Sequence, residues 1–110
     1  MPAIKDCIGC KWWCNKLTLL NNFRFMWYYV YILKSEKDGK FYTGYTNNLK
    51  LRFEMHLKGK VESTKDRLPL TLIYFEACLN QQDATHREKY LKSYHGKMFI
   101  RNRLKSYLTG

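Results

Sequence analysis

The sequence predicts an α+β fold, in which a small three-stranded antiparallel sheet is flanked by helices. Three runs rich in aromatic and β-branched residues indicate the strands, at residues 28–34, 41–45 and 70–78. Two later segments, 81–94 and 97–108, carry helical patterns. A length of 110 residues suits a single domain with one modest core.

Turn and capping residues support the bounds of these elements. The dipeptide Asp38-Gly39 is typical of a tight turn, so we expect the first two strands to form a hairpin. Pro69 introduces the third strand. Asn80 is a candidate N-cap for the helix that follows, and Gly96 marks the predicted end of that helix. The final helix carries an apolar stripe, formed by Ile100, Leu104, Tyr107 and Leu108.

Residues 49–58, "LKLRFEMHLK", fit two different structures. Their apolar and charged residues alternate, which is typical of a half-buried strand. However, Asn47 and Asn48 precede them where helix caps belong, and most of them are good helix formers. A helix would place Arg52 and His56 about 6 Å apart at their Cβ atoms, whereas a strand would separate them by roughly 13 Å. A helix would also have an apolar stripe, formed by Leu49, Phe53 and Leu57.

The charge of the chain favours a polyanionic partner. Lys and Arg number 20 against 9 Asp and Glu, which gives a formal net charge of +11 at pH 7. For a compact domain, nucleic acid is a commoner partner of such a surface than a membrane. No apolar run is long enough to span a bilayer, and the N-terminus lacks a secretion signal, so we expect a cytoplasmic protein.

Residues 1–25 differ in composition from the remainder of the chain. They hold three of the four cysteines and show no clear period of 2 or 3.6. The three are Cys7, Cys10 and Cys14. Without an obvious fourth ligand they do not complete a typical structural zinc site, and we expect them to be thiols. Because a self-contained order of elements begins at Met26, we expect residues 26–110 to form the working domain, and 1–25 to be an extension that is disordered or foreign to the native product.

One carboxylate lies beside a predicted core-facing stripe. On the helix over 81–94, Ala84 and Leu91 share a face, and Glu88 lies on or next to it. A carboxylate there needs a cation or a metal ion, since its desolvation would otherwise be costly. An ordinary surface pair with Lys92, four residues later, is the alternative.

Several polar and aromatic residues occur at characteristic spacings. "VYI" at 30–32 precedes "YTG" at 42–44, Arg52 follows ten residues after Tyr42, His56 comes four residues later, and Glu88 lies on a helix after the third strand. Together these positions resemble the GIY-YIG nuclease family, specifically its small single-domain members that are similar to the N-terminal domain of an excinuclease.

This resemblance covers about residues 26–100 and implies the order β-β-α-β-α-α. Residues 49–58, the segment that fits either a strand or a helix, would therefore form a helix. The sequence departs from the family in two places: the first motif keeps only its tyrosine, and Thr43 replaces the usual Ile or Val of the second. Gly44 is retained, and we expect it to permit a close backbone approach or a bulge.

The resemblance also implies a function, that of a metal-dependent endonuclease hydrolysing DNA phosphodiester bonds. It assigns to Tyr31 the role of general base, and to Tyr42 the positioning of phosphate or water. His56 would hydrogen-bond with Tyr31 or relay its proton. Arg52 would bind the phosphate through its fork of donors, and Glu88 would hold a single Mg²⁺ or Mn²⁺ ion.

The loop before the third strand supplies cations that we expect to contact the DNA backbone. These are Lys58, Lys60, Lys65 and Arg67, and Lys65 is also a candidate to reach the active site. A rival function is a basic nucleic-acid-binding module without catalysis, and a third is an interaction protein that acts through its cysteine-rich N-terminus. Retention of all five implied catalytic residues favours catalysis, because binding alone has no use for a lone carboxylate. The sequence does not separate roles in repair, recombination or mobile elements.

Overall fold

A computed structural model of the protein describes residues 26–110. These residues form strands and helices in the order β1 (Tyr28–Ser35), β2 (Phe41–Thr46), α1 (Leu49–Leu57), β3 (Leu70–Cys78), α2 (Gln81–Lys92), α3 (Tyr94–Arg103) and α4 (Lys105–Thr109). A 3-10 turn over Lys65–Arg67 precedes β3. The predicted α+β fold is confirmed. The expectations for residues 1–25, including those for their cysteines, lie outside the described residues.

The sheet is antiparallel and has the order β2-β1-β3, so β1 is its central strand. Because successive side chains of a strand point to opposite faces, β1 contributes to both sides of the sheet. Val30 and Ile32 point to one face, and Tyr31 and Leu33 point to the other. All four are at most 1% exposed. The central strand is therefore covered by helices on both faces.

Two apolar clusters lie on either side of the sheet. On one face, Val30 and Ile32 pack with Ala84 and Leu91 of α2 and with Ile100 of α3. On the other face, Tyr31, Leu33 and Leu70 pack against partly buried residues, among them Leu49 and Phe53 of α1. The sheet thus separates a layer holding α1 from a layer holding α2 and α3.

The disputed segment is a helix, as the family resemblance implied. The side chain of Asn48 caps α1 by accepting a hydrogen bond from the backbone N–H of Leu51, at 3.1 Å. The predicted apolar stripe is only partly correct, since Leu57 is 46% exposed. The fully buried residue of the last turn is instead His56. The inward face of α1 therefore combines apolar residues with a buried imidazole.

The observed ends of α2 and α3 differ from two predictions. α2 stops at Lys92, and Ser93 both ends α2 and caps α3, where its hydroxyl accepts from the N–H of Gly96 at 3.2 Å. Gly96 does not terminate a helix but lies buried inside α3. A Cβ atom at this position would overlap the backbone of Tyr90 and Leu91, so the absence of a side chain lets α3 approach α2 closely.

The predicted final helix over 97–108 is divided at Leu104 into α3 and α4. Its stripe is buried at Ile100 but not at Tyr107, which is 56% exposed. Across residues 26–110, no helix combines the length and the apolar character needed to cross a membrane.

Candidate active site

A tyrosine and a histidine meet in the layer between β1 and α1. The hydroxyl oxygen of Tyr31 lies 2.8 Å from Nε2 of His56, and the two rings are in edge contact with centroids 5.6 Å apart. Tyr31 is 1% exposed and His56 is 0% exposed. The helix therefore brings together two residues that are 25 positions apart in sequence, as the predicted pairing of Tyr31 with His56 requires.

A third buried polar residue, Thr64, completes this contact. Its hydroxyl oxygen lies 2.7 Å from Nδ1 of His56, and Thr64 is 0% exposed. Sequence reasoning missed Thr64, because it stands in a polar loop where a threonine is ordinarily exposed. Val61, an apolar residue three positions earlier, is also buried and anchors the loop. That isolated valine was the available signal that the loop packs inward.

The position of the imidazole proton sets the direction of both hydrogen bonds. If the hydroxyl of Thr64 donates to Nδ1, the ring proton is on Nε2 and is donated to the oxygen of Tyr31. If the hydroxyl of Tyr31 donates to Nε2, the ring proton is on Nδ1 and is donated to Thr64. In both arrangements the neutral imidazole links the two hydroxyls.

The pKa of His56 agrees with a neutral ring. Burial, helped by the positive charge of Arg52, lowers the pKa of His56 from 6.5 to about 4. At neutral pH the imidazole is accordingly uncharged. It serves as a hydrogen-bond link between Thr64 and Tyr31 and does not add a second cation beside Arg52.

Gly44 makes room for the ring of Tyr31. It is the cross-strand partner of Tyr31 on β2. A Cβ atom at Gly44 would overlap the outer ring carbons and the hydroxyl of Tyr31. The close approach expected at this glycine is thus made by a side chain lying flat across the neighbouring strand.

Tyr42 and Arg52 surround the buried hydroxyl. The ring of Tyr42 is partly buried, and its centroid lies 6.3 Å from that of Tyr31 and 5.2 Å from that of His56. Arg52 precedes His56 by one helical turn, and the neighbouring hydroxyls of Tyr31 and Tyr42 raise the pKa of its guanidinium. Nε of Arg52 is buried and lacks a hydrogen-bond partner among the described residues. The site thus contains a fixed cation with an unused donor.

Tyr31 itself is poorly suited to the role of general base that the resemblance implied. Burial raises its pKa to about 12, and the charges of Tyr42 and Glu88 add to this effect, while Arg52 opposes it. Its oxygen is also hydrogen-bonded to Nε2 of His56. Tyr31 is therefore held as a neutral phenol. Of the two tyrosines in the site, Tyr42 is the one with an accessible side chain.

Glu88 lies on α2, across the sheet from α1, yet its charge acts on Tyr31. Its side chain is 22% exposed and pairs with Lys92, with Nζ and Oε2 3.3 Å apart. The surface pair considered as an alternative is therefore present. Because Lys92 is 56% exposed, this pair is weak and does not prevent Glu88 from binding a metal ion.

The described residues contain no preformed metal site with several protein ligands. From Met26 to Gly110, no group of three or more His, Cys, Asp or Glu side chains is placed to hold an ion. An ion at Glu88 would take one protein carboxylate and fill its remaining positions with water and substrate phosphate. Mg²⁺ binds in this way at phosphate sites, so Glu88 fits the single-ion site that the resemblance implies.

The four predicted DNA-binding cations differ in their contacts. Lys58 and Lys60 are exposed and form no ion pair within the described part of the chain. Lys65 pairs with Glu62 at 3.0 Å. Arg67 donates to the backbone oxygen of Phe41 at 3.3 Å and lies 3.7 Å from Asp38. Arg67 therefore fastens the loop to the β1–β2 hairpin, and is less free for a phosphate than predicted.

The chain is similar to several known proteins. Residues 27–108 match the family described as the GIY-YIG catalytic domain. The chain is similar to UPF0213 protein CPE1444 of Clostridium perfringens, with 48% identity over 65 residues that cover 58% of this chain and 69% of that protein. It is 41% identical over 68 residues to UPF0213 protein SH2523 of Staphylococcus haemolyticus, which covers 61% of this chain and 82% of that protein. It is also similar to the solution NMR structure of the UPF0213 protein BH0048 from Bacillus halodurans, with 34% identity, a TM-score of 0.46, and coverage of 70% and 84% of the two chains.

Proposed function

Because the chain belongs to the GIY-YIG family, we propose that it is a metal-dependent endonuclease that hydrolyses DNA phosphodiester bonds. The observation that carries this proposal is the guanidinium of Arg52, which lies beside the hydroxyls of Tyr31 and Tyr42 with a buried, unpartnered Nε among the residues that the structure describes. Such a group suits a substrate that brings several anionic oxygens into the site, as a phosphodiester does.

Arg52 is the residue that binds the scissile phosphate. Its charge persists at all accessible pH values, and its planar donors match two phosphoryl oxygens at once. Neutralising those oxygens favours attack by water and stabilises the charge that develops in the transition state. Lysine could supply the charge but not the paired donors.

Tyr42 is the better choice for activating the attacking water. It is partly exposed, whereas Tyr31 is 1% exposed and has a pKa raised to about 12. The oxygen of Tyr42 would take up a proton from the attacking water, with Arg52 and the hydroxyl of Tyr31 beside it. The Thr64–His56–Tyr31 chain holds that hydroxyl in place. With the ring proton of His56 on Nε2, which the proposal requires, the proton of Tyr31 is free to donate to Tyr42.

Glu88 would hold the metal ion. Mg²⁺ or Mn²⁺ bound there supplies the neutralising charge on the phosphoryl group and on the leaving oxygen. Lys92, which pairs with Glu88 at 3.3 Å, would be released toward the solvent or the DNA when an ion binds.

The test is cleavage of supercoiled plasmid and of branched DNA, with Mg²⁺, with Mn²⁺ and with EDTA. We expect metal-dependent cleavage by the native chain and its loss in Arg52→Gln, while Arg103→Gln, an exposed arginine of α3 outside the site, cleaves normally. Comparing plasmid with branched substrates also separates a repair or recombination enzyme from an unselective nuclease. If the native chain binds DNA but cleaves none of these substrates with either metal, it is a binding module and the proposal is wrong.

A further inference from the structure

A second cationic surface lies between the β1–β2 hairpin and α3. A cavity of about 480 Å³ separates these elements, and it is lined by Gly39, Lys40, Phe41, Arg67, Lys97 and Arg101. We name it the hairpin groove. Four of its six lining residues are cationic and none is acidic. Such a concentration of one charge sign attracts a polyanion to this surface.

Most of this charge is unneutralised. Lys40, Lys97 and Arg101 form no ion pair among the residues that the structure describes. Arg67 is partly compensated by Asp38, 3.7 Å away. The loop that was predicted to bind DNA shares Arg67 with the groove, and its Lys65 is paired with Glu62.

Two of the groove's cations are held in position by Phe41. The guanidinium of Arg101 lies over its ring, 5.8 Å from the centroid, in a cation–π contact, and Arg67 donates to its backbone oxygen at 3.3 Å. Lys97 is one helical turn from Arg101 and so lies on the same side of α3. Restraint of the two arginines lowers the entropic cost of binding an extended ligand.

The hairpin groove adjoins a second cavity. This cavity, of about 240 Å³, shares Phe41 and Lys97 with the groove and is also lined by Tyr42 and Lys92. Tyr42 belongs to the proposed active site, and Lys92 pairs with Glu88. A path of cations thus leads from the proposed metal site through Lys97 to Arg101.

We propose that the hairpin groove binds the sugar-phosphate backbone of the substrate DNA on one side of the scissile phosphate. This inference rests on the proposed function, because it is the active site at one end of the path that selects DNA among polyanions. It also moves the main DNA contact from the loop of Lys58, Lys60 and Lys65 to the surface shared by the hairpin and α3.

The test compares two double variants that each remove two positive charges. Lys97→Gln/Arg101→Gln alters the groove, and Lys89→Gln/Lys105→Gln is the matched control at positions outside the groove. Affinity for a labelled duplex is measured without divalent metal, over a range of salt concentrations. Circular dichroism and thermal unfolding confirm that all chains are folded.

We expect the groove variant to bind more weakly than both the native chain and the control. Its plot of log affinity against log salt should lose about 1.8 from its slope, since each lost phosphate contact on duplex DNA contributes about 0.9. Cleavage at low DNA concentration should fall with the lost affinity, and the change should appear as a higher KM.

Two results would overturn the inference. One is a groove variant that binds duplex as the control does. The other is a groove variant that keeps its DNA affinity but loses affinity for a poly-glutamate peptide, which would assign the groove to an acidic protein. Failure of the proposed function gives a different pattern, in which the native chain cleaves nothing although the groove variant still loses DNA affinity.

Discussion

The imidazole of His56 joins two hydroxyls across the contact between α1 and β1: Nε2 lies 2.8 Å from the oxygen of Tyr31, and Nδ1 lies 2.7 Å from that of Thr64. The proposed mechanism requires the ring proton on Nε2, so that Tyr31 has a free proton beside Arg52 and Tyr42. Each of these features can be measured separately.

The tautomer of His56 is the most direct test. Nitrogen-15 NMR of the native chain should show His56 protonated at Nε2. Thr64→Val keeps the shape of the side chain but removes the hydroxyl that contacts Nδ1. We therefore expect His56 to lose its single tautomer and cleavage to fall. Thr64→Ser, which has a hydroxyl, should keep both the tautomer and the cleavage activity. A native His56 protonated at Nδ1 would contradict the assignment whether or not the protein cleaves DNA.

Stability should depend on pH through His56. Its pKa is about 4 in the folded chain, against an ordinary value of 6.5, so the unfolded chain binds more protons between these values. The contribution of the neutral ring is fully present above pH 6.5 and is lost as the pH falls to 4, by up to about 3 kcal/mol. Urea unfolding at a series of pH values measures this loss. His95, which is exposed, is the control, and His95→Gln should leave the dependence intact. An NMR titration in which His56 becomes charged near its ordinary pKa would refute the expectation.

The two tyrosines should respond differently to loss of the hydroxyl. Tyr42→Phe removes the proposed base, and cleavage should fall about 10²- to 10⁴-fold, the usual contribution of a general base. Tyr31→Phe removes only the supporting hydrogen bond and should lower cleavage less. Tyr45→Phe, a tyrosine stacked on Tyr28 in the same sheet, is the control. If Tyr31→Phe is the more damaging change in a folded protein, Tyr31 is the base after all.

Glu88→Gln tests the metal site. The substitution keeps the size of the side chain but removes its charge, so cleavage in Mg²⁺ should fall by orders of magnitude while the fold persists. DNA binding without metal should be unchanged or slightly tighter, because Lys92 loses its carboxylate partner. Glu54→Gln, on the exposed side of α1, serves as the matched control. Undiminished cleavage by a folded Glu88→Gln chain would remove Glu88 from the mechanism.

A chain that begins at Met26 should fold alone. Within residues 26–110 the two apolar clusters cover both faces of the sheet, and the family match spans 27–108. We expect this shorter chain to be soluble, to unfold cooperatively, and to cleave DNA as the full chain does. An unfolded product would mean that residues 1–25 belong to the core.

Much of the fold could be predicted because strands and turns have local causes. Local sequence is enough to predict three of these elements: aromatic runs predict β1 and β3, and Asp38-Gly39 predicts the turn. α1 was harder, since its inward face carries Arg52 and His56 as well as Leu49 and Phe53. Polar residues on the inward face obscure the helical period of hydrophobicity, so the helix was identified from the residue spacing typical of the family.

The remaining differences arise from tertiary contacts. Thr64 is buried because His56 needs a partner for Nδ1, and no local pattern reveals that. In sequence Gly96 resembles a helix terminator, but its role in the structure is to leave room for the backbone of α2, which lies against it. The burial of Tyr31, which weakens it as a base, likewise depends on a glycine of the neighbouring strand.

Gly96 also sets a distance. α2 carries Glu88, and α3 carries Lys97 and Arg101, so the near-touching of these two helices determines how far the proposed metal ion stands from the cations of the hairpin groove. Any side chain at position 96 would push α3 outward and lengthen the distance between the proposed metal site and these cations. In the proposed complex with DNA, the spacing of the two helices would therefore decide which phosphate along a strand reaches the metal ion.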